Sequence, residues 1–507
     1  MTWSGFNENG LICLDSLRLK IGSYKIIKNE CLETKTRKFA KKRERLSNDG
    51  GSRDIAIIGM ACNFPKASDS DKYWENIINL VDTITEIPAS HFKYQNFYDS
   101  DKMVKDKIYS KWGGFLDHTT FDPSLYGIPP NSLPYIDPVQ LLTLDLVRQA
   151  LIDSNYKDGY KNDGNNVLSK TSVVVAHAGH GPITALYSLR SMLEWKLHDL
   201  PKSTKDEIYN RLPAWTEDVF PGYLGNVIAG RVANRFDFNG VNFSVDAACA
   251  SSLAGLYTAI LELRSKNSDL VILAGADTHN QPGDYLSFSK TYALSPTGKC
   301  KTFDASADGI VISEGLGVII LKRLDDAIND GDKVYAVIKG IGGSSDGRDL
   351  SLTAPRKNGQ IIALNRAYSD SNINPKDVNL IEAHGTGTVA GDKAELEALS
   401  EVFTDNSPTP NCAIGSVKTM IGHTKAAAGV ASLIKIAKAL HHKTMPASIN
   451  VSKPVIDFNK TNFYLNTHTK PWFTTDTNKL RKAGVSAFGF GGTNFHCVLE
   501  EYPYNNH

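Results

Sequence analysis

Four short stretches of this 507-residue sequence place reactive side chains among small residues at the ends of apolar runs. In the first, residues 241–245 read as a strand ending at Asp246, followed by Ala247-Ala248-Cys249-Ala250-Ser251-Ser252. Helical spacing then begins, with Leu253, Leu256, Ile260 and Leu261 on one side. Cys249 thus falls where a strand turns into a helix. The unpaired N–H groups and dipole of a helix N-terminus predict a lowered thiol pKa there, and small neighbours leave room for a substrate carbonyl. A structural cysteine packed at a tight turn is the alternative reading. In the second stretch, Ile381-Glu382-Ala383-His384-Gly385-Thr386-Gly387-Thr388, a histidine follows an apolar strand on a glycine-rich turn. In the third, a strand at 412–417 leads into Lys418-Thr419-Met420-Ile421-Gly422-His423-Thr424-Lys425, again with a histidine on a strand-to-helix turn. The fourth, Phe488-Gly489-Phe490-Gly491-Gly492-Thr493-Asn494, reads as a flexible loop that exposes its backbone and lacks the spacing of a phosphate-binding loop. Taken singly, each histidine could be a satisfied turn residue. Together, one cysteine and two histidines at equivalent strand ends make a nucleophile with two hydrogen-bond donors or bases.

The elements that must position these groups follow from the hydrophobic pattern. Short β-branched runs alternate with helical stretches from Arg53 onward, which predicts a layered α/β fold. Strands are expected at 55–60, 172–177, 241–245, 269–276 and 317–322, and a second series at 334–340, 378–383, 412–417, 483–488 and 496–500. Five and five suggest an internal duplication without a sequence repeat. The stretch between Met60 and Thr171 is expected to cap one face. Residues 180–225, with Tyr187, Trp195, Trp215, Phe220 and Tyr223, form an aromatic insertion expected at a subunit contact or tunnel wall.

Composition bounds the function. At 41% hydrophobic, 22% charged and net charge +1, the chain gives no general case for nucleic-acid or membrane binding. Its seven cysteines (Cys13, Cys31, Cys62, Cys249, Cys300, Cys412, Cys497) are odd in number, dispersed and without a CxxC pair. That argues against a disulfide framework or a zinc site and for a reducing, cytoplasmic setting. No apolar run approaches the ~18 residues of a membrane span, and no secretory signal is evident. Residues 1–52 differ from the rest: 35–45 hold seven basic residues and one acid, and Asn48-Asp49-Gly50-Gly51-Ser52 reads as a linker. A solvated extension, a docking segment, or a faint carrier-like Asp15-Ser16-Leu17 are the readings there.

From residue 53 to 503 the sequence resembles the β-ketoacyl synthases (ketosynthases) of polyketide and fatty-acid synthesis. The Cys249 stretch, the His384 loop, Lys418…Gly422-His423 and Gly489-Phe490-Gly491-Gly492-Thr493-Asn494 match in order. So do Ile57-Ile58-Gly59-Met60-Ala61-Cys62-Asn63-Phe64-Pro65 and Phe303-Asp304-Ala305-Ser306-Ala307-Asp308-Gly309. The resemblance implies a thiolase fold: duplicated βαβαβαββ halves, 53–326 and 327–507, in a five-layer α-β-α-β-α core. It also implies a decarboxylating Claisen condensation. Cys249 would take an acyl chain from carrier-bound phosphopantetheine, and His384 and His423 would hold a malonyl thioester carbonyl while CO2 leaves. The backbone N–H groups of Cys249 and Phe490 would form the oxyanion hole, with Phe490 as gate and Lys418 supporting the histidines. Asp392 and Glu395 match supporting positions behind them, or else are simply helix N-terminal acids.

Departures from the modular polyketide pattern are informative. Those synthases usually read Thr-Ala-Cys-Ser-Ser around the nucleophile, Glu at the position of Lys425 and Gly at that of Ser313. The set found here is closer in style to iterative synthases of polyunsaturated fatty acids or glycolipids. Because Cys249, His384 and His423 are all present, a non-condensing scaffold is disfavoured. Thiolases normally use a second Cys, and initiating-type synthases an Asn, where this chain has His423. The expected partners are an acyl carrier protein, an acyltransferase or other synthase domains acting in trans, and a second copy in a homodimer. No metal or resident cofactor is expected. The chain reads as a discrete enzyme or as the N-terminal piece of a larger synthase.

Overall fold

The computed structural model describes residues 52–157, 160–161, 170–179, 181–348, 354–404, 410–474 and 479–503. By its contacts the chain divides into Met1–Gly51 and Ser52–His507. The readings of the basic extension, its linker and Asp15-Ser16-Leu17 therefore fall outside the described residues, Ser52 apart.

Eleven strands hydrogen-bond into one sheet: β1 (Ile55–Asn63), β2 (Thr171–Ala176), β3 (Asn242–Val245), β4 (Leu270–Asp277), β5 (Gly315–Arg323), β6 (Ala336–Ser345), β7 (Leu380–Glu382), β8 (Cys412–Gly415), β9 (Phe463–Leu465), β10 (Lys482–Gly489) and β11 (Thr493–Glu500). Their order across the sheet is β9-β8-β7-β10-β11-β6-β1-β5-β4-β2-β3. Set aside β9, and the two halves have one topology. In each, the strands lie in the order third, second, fourth, fifth, first. Second pairs parallel with third and fourth, and fifth pairs antiparallel with fourth and first. The halves meet at a short antiparallel seam, Ile55–Ile57 against Ala336–Ile338.

Alternation along these strands builds the layers. On one face of the first half, Ile58, Val173, Val175, Ile272 and Ile320 pack with α1 (Pro138–Asp153) and α2 (Val227–Phe236), through Leu144, Val147, Ile228 and Val232. The opposite face presents Ile55, Ile57, Val271, Leu273 and Ile319 to α3 (Ser251–Arg264). In the second half α4 (Lys357–Ser371) and α5 (Val389–Val402) cover Ile381, Ile414 and Val498 with Leu364, Leu396 and Leu399. The remaining face, with Ala483, Val485, Cys497 and Leu499, closes on α6 (Ala428–His441). α3 and α6 are the shared middle of five layers, α-β-α-β-α. Each large aliphatic side chain buried there stabilises the fold by roughly 1.5–3 kcal/mol.

All ten expected strands are present, with ends displaced by a few residues; β9 is added to the large sheet, and three two-stranded ribbons lie outside it among the described residues. Leu253, Leu256 and Ile260 are fully buried as the spacing predicted, but Leu261 is 48% exposed and Leu263 takes its place in the core. The stretch between Met60 and Thr171 does not keep to one face: its α1 is a full outer-layer helix, whereas Tyr73, Trp74 and Ile77 of the helix Ser70–Ile78 pack with the middle layer. The aromatic insertion holds helices Pro182–Trp195, Lys202–Arg211 and Val219–Tyr223. Ile183, Tyr187 and Val219 form its own small core, whereas Trp195 and Phe220 are exposed.

Candidate active site

Cys249, His384, His423 and Phe490 each follow the carboxyl end of a strand with a parallel neighbour, where α/β sheets open a crevice. Cys249 follows β3 and precedes α3; His423 follows β8 and precedes α6. In the duplicated topology these are the same position.

The Cys249 turn is over-determined. Ala248, immediately before the cysteine, has φ 50°, a left-handed conformation that costs a residue with a Cβ roughly 1–2 kcal/mol. The Ala248 N–H donates to Asp246 Oδ1 (2.9 Å), the Ala247 N–H to Ser251 Oγ (2.8 Å), and Ser251 Oγ to the Ala248 carbonyl (2.6 Å). A Cβ on Gly489 would lie 2.3 Å from the Ala247 carbonyl oxygen, so only glycine allows the end of β10 to approach. That approach puts the Phe490 N–H, together with the N–H of Cys249 itself, near enough to the sulfur to favour its thiolate. The helix N-terminus had predicted a lowered thiol. Burial instead pushes it up, and the Lys418 charge, the two N–H groups and the Lys425 charge offset only part of that rise.

The fourth stretch is tighter than a flexible loop. Phe488 and Gly489 belong to β10, Thr493 and Asn494 to β11, and only Phe490, Gly491 and Gly492 form the turn. Gly491 and Gly492 have φ of 93° and 80°. The Phe490 ring is 44% exposed and stacks on Phe288 at 6.3 Å.

The two histidines are set in the same tautomer. The Phe488 N–H donates to His384 Nδ1 (3.3 Å), and the Lys425 N–H donates to His423 Nδ1 (3.0 Å). An Nδ1 that accepts leaves the ring proton on Nε2. His423 Nε2 is buried with no hydrogen-bond partner among the described residues. The rings lie 5.6 Å apart at 83°. Burial, then the Lys418 charge, holds both pKa values well below the usual imidazole range. The site therefore offers two neutral Nε2–H donors.

Behind them, Glu395 accepts the N–H groups of His384 and Gly385, each at 2.8 Å, one on each oxygen. Asp392 accepts from the N–H groups of Phe303 (2.7 Å) and Gly387 (3.2 Å). Both sit within α5, Asp392 in its first turn, and both are almost fully buried, holding the turn that carries His384. Burial pushes both carboxyls up to about 7. Lys418 is buried at the centre, its own pKa lowered by burial, and its charge bears on Cys249, His384, His423, Asp392 and Glu395. The site thus brings together Cys249, His384, His423, Lys418, Asp392, Glu395 and the Phe490 N–H. Asp277 and Asn280, which the sequence reading passed over, meet Lys425 here; a polar run straight after the apolar strand 270–276 was the available signal.

The family profile for the beta-ketoacyl synthase N-terminal domain matches residues 52–327, and that for the C-terminal domain matches 335–452. The chain belongs to the β-ketoacyl synthase family. Family members join acyl units by Claisen condensation on carrier-bound substrates. One subunit of the polyunsaturated fatty acid synthase of Thraustochytrium sp. is 38% identical over 463 residues, covering 88% of this chain and 16% of that protein. One subunit of the phenolphthiocerol/phthiocerol polyketide synthase of Mycobacterium tuberculosis is 34% identical, covering 90% and 28%. The chain thus spans less than a third of these relatives. Among solved structures, a cysteine-to-serine mutant of the ketosynthase from module 6 of the bacillaene synthase of Bacillus subtilis matches with TM-score 0.77 and 34% identity, over 90% of this chain and 73% of that one. An oxazolomycin ketosynthase domain of Streptomyces albus matches with TM-score 0.78 and 30% identity, over 90% and 75%. These are ketosynthases of the thiolase fold, in agreement with the five layers described above.

Proposed function

We propose that this chain condenses a Cys249-bound acyl chain with a malonyl unit carried on phosphopantetheine, as part of polyketide-type or polyunsaturated-fatty-acid synthesis. The observation that carries the reading is the pair of neutral Nε2–H donors at His384 and His423. In the loading half, the Cys249 sulfur attacks a carrier thioester carbonyl. Its proton leaves with the departing pantetheine thiol, and the transient oxyanion is received by the Cys249 and Phe490 N–H groups. In the second half, the malonyl carboxylate departs as CO2, and its bonding electrons form an enolate whose oxygen takes both imidazole N–H groups. The enolate carbon attacks the Cys249 thioester. Collapse of that adduct expels the cysteine thiolate and leaves a β-ketoacyl carrier.

Lys418 serves this sequence by keeping the imidazoles neutral and favouring thiolate. Asp392 and Glu395 hold the His384 turn. An acyl carrier protein delivers both units, an acyltransferase acting in trans charges it, and the chain uses no resident cofactor. A second copy of the chain pairs at the β3 edge of the sheet, beside exposed Val241, Tyr257 and Leu261. No described helix is long and apolar enough to cross a membrane, and the reducing setting suggested by the cysteines favours the cytoplasm.

Intact-protein mass spectrometry tests the reading. Wild type and Cys249→Ala are incubated with an acyl pantetheine thioester, then with malonyl-carrier protein. An adduct that requires Cys249 and is discharged by malonyl-carrier supports condensation. An adduct that persists without CO2 release reduces the protein to a transacylase or scaffold.

A further inference from the structure

Ser313 and Lys425, two positions at which the sequence departs from the modular pattern, meet around His423. The His423 backbone is tied to the first half of the fold. Its N–H donates to the Val311 carbonyl (2.7 Å), and the Ser313 N–H donates to its carbonyl (2.9 Å). Its ring is fixed by the Lys425 N–H on Nδ1. To present that N–H, Lys425 adopts φ 50°, a conformation disfavoured for any residue with a Cβ.

The Lys425 side chain then folds back across the half-to-half boundary. Its Nζ donates to Asn280 Oδ1 (2.8 Å) and the Ser313 carbonyl (3.1 Å), and pairs with Asp277 Oδ1 (3.0 Å). An ammonium has three protons, and three acceptors meet it. Asp277, Asn280 and Ser313 are each no more than 1% exposed. This differs from a solvated surface pair, which holds little in place. A glutamate at 425 would instead set a second carboxylate against Asp277. The lysine and its partners form a matched set.

We propose that Lys425 is a positioning residue for decarboxylation: its ammonium, docked on Asp277, Asn280 and Ser313 of the opposite half, holds the left-handed turn that fixes the His423 tautomer. The proposal rests on the reading of His423 as a donor to the malonyl thioester oxygen. The charged groups that bear on the His423 ring are Lys418 and Lys425, and the neighbouring titratable ring is His384. Asp277, which also meets His279 Nδ1 at 3.4 Å, is the anion facing Lys425.

The test uses the full chain. Cys249 loading is followed by intact mass, and CO2 release from malonyl-carrier protein is measured against pH, in wild type, His423→Ala, Lys425→Met, Lys425→Arg and Lys425→Gly. In Lys425→Met, CO2 release falls roughly 10- to 100-fold, while loading, which the Lys425 charge reaches only as the smallest influence on the Cys249 thiol, stays within about twofold of wild type. The acid limb of the release profile moves to higher pH, because a cation that disfavours imidazolium is gone. Lys425→Arg recovers much of the rate. Lys425→Gly, which relieves the turn but lacks the ammonium, behaves like Lys425→Met. Wild-type release with an unmoved acid limb in Lys425→Met overturns the proposal. So does recovery in Lys425→Gly, since the turn alone would then set the ring. Equal losses of loading and release with a lowered Tm reduce Lys425 to a structural lysine and also overturn it. If wild type releases no CO2, or His423→Ala releases it unimpaired, the underlying reading of His423 fails instead.

Discussion

Gly489→Ala separates the two halves of the proposed reaction. Gly489 closes β10, and its missing side chain is what lets that strand end reach the nucleophile turn. The added Cβ would sit 2.3 Å from the Ala247 carbonyl oxygen and 3.3 Å from the Ala250 nitrogen. Both are backbone atoms, so no side-chain rotation relieves the clash. Restoring the 3.4 Å of ordinary contact requires about 1 Å of separation between the strand end and the turn. Phe490, whose N–H faces the Cys249 sulfur, is the next residue. The oxyanion hole therefore opens by about that amount. Loss of one such donor costs about 10²–10³-fold in rate, and a 1 Å misplacement of a catalytic group about 10²-fold, or about 2.7 kcal/mol of barrier. Cys249 acylation by an acyl pantetheine thioester, timed by quench-flow and intact mass, should slow about 100-fold. Decarboxylation of malonyl-carrier relies on His384 and His423, of which only His384 is tied to this strand end, through the Phe488 N–H, so it should fall by less than acylation does. Overpacking destabilises by about 1–3 kcal/mol, so Tm is measured alongside. Acylation at the wild-type rate would refute the assignment of the Phe490 N–H. An equal fall in both steps would show that the substitution disturbs the whole site rather than the oxyanion hole.

Two further variants probe the groups behind the histidines. In Glu395→Gln the amide keeps one acceptor and turns N–H protons toward the other donor, leaving the His384 or Gly385 N–H unmet at about 1–3 kcal/mol. Decarboxylation kcat should fall roughly tenfold or more with little change in KM. Because Glu395 is held at about 7 against an ordinary 4.5, its contribution to stability is full below about 4.5 and is lost as pH rises through about 7. Denaturation midpoints of Glu395→Gln should lack that part of the slope. In Lys418→Met, loss of the buried cation raises the thiol pKa further, so the pH midpoint of Cys249 alkylation moves up. An unmoved midpoint would detach Lys418 from the thiol.

The strands were legible because β-branched runs such as 271–273 and 317–322 are bounded by turn residues, and the motif residues because each follows such a run. What escaped was long-range. β9 is three residues between polar segments, too short to signal itself. The shared order of the two half-sheets leaves no trace in residue identity, since topology constrains burial and not which apolar residue is used. The Cys249 turn showed its helix but not its burial, which dominates the thiol. The tautomers of His384 and His423 depend on backbone N–H groups from Phe488 and Lys425, and no side-chain pattern reports those. Asp277 and Asn280 lie far in sequence from the lysine they hold.

The middle layer has a consequence for how the chain reaches this state. α6 is buried on nearly every side, and α3 presents its inner face to it, so neither half covers its own apolar surface. During synthesis the first half emerges with α3 open on that side, and it stays open until α6 has left the ribosome. A stall between β5 and β6 would therefore strand a sticky intermediate whose Cys249 turn still lacks the β10 end that closes over it. The arrangement that shelters the chemistry makes the chain's two halves obligate companions from birth.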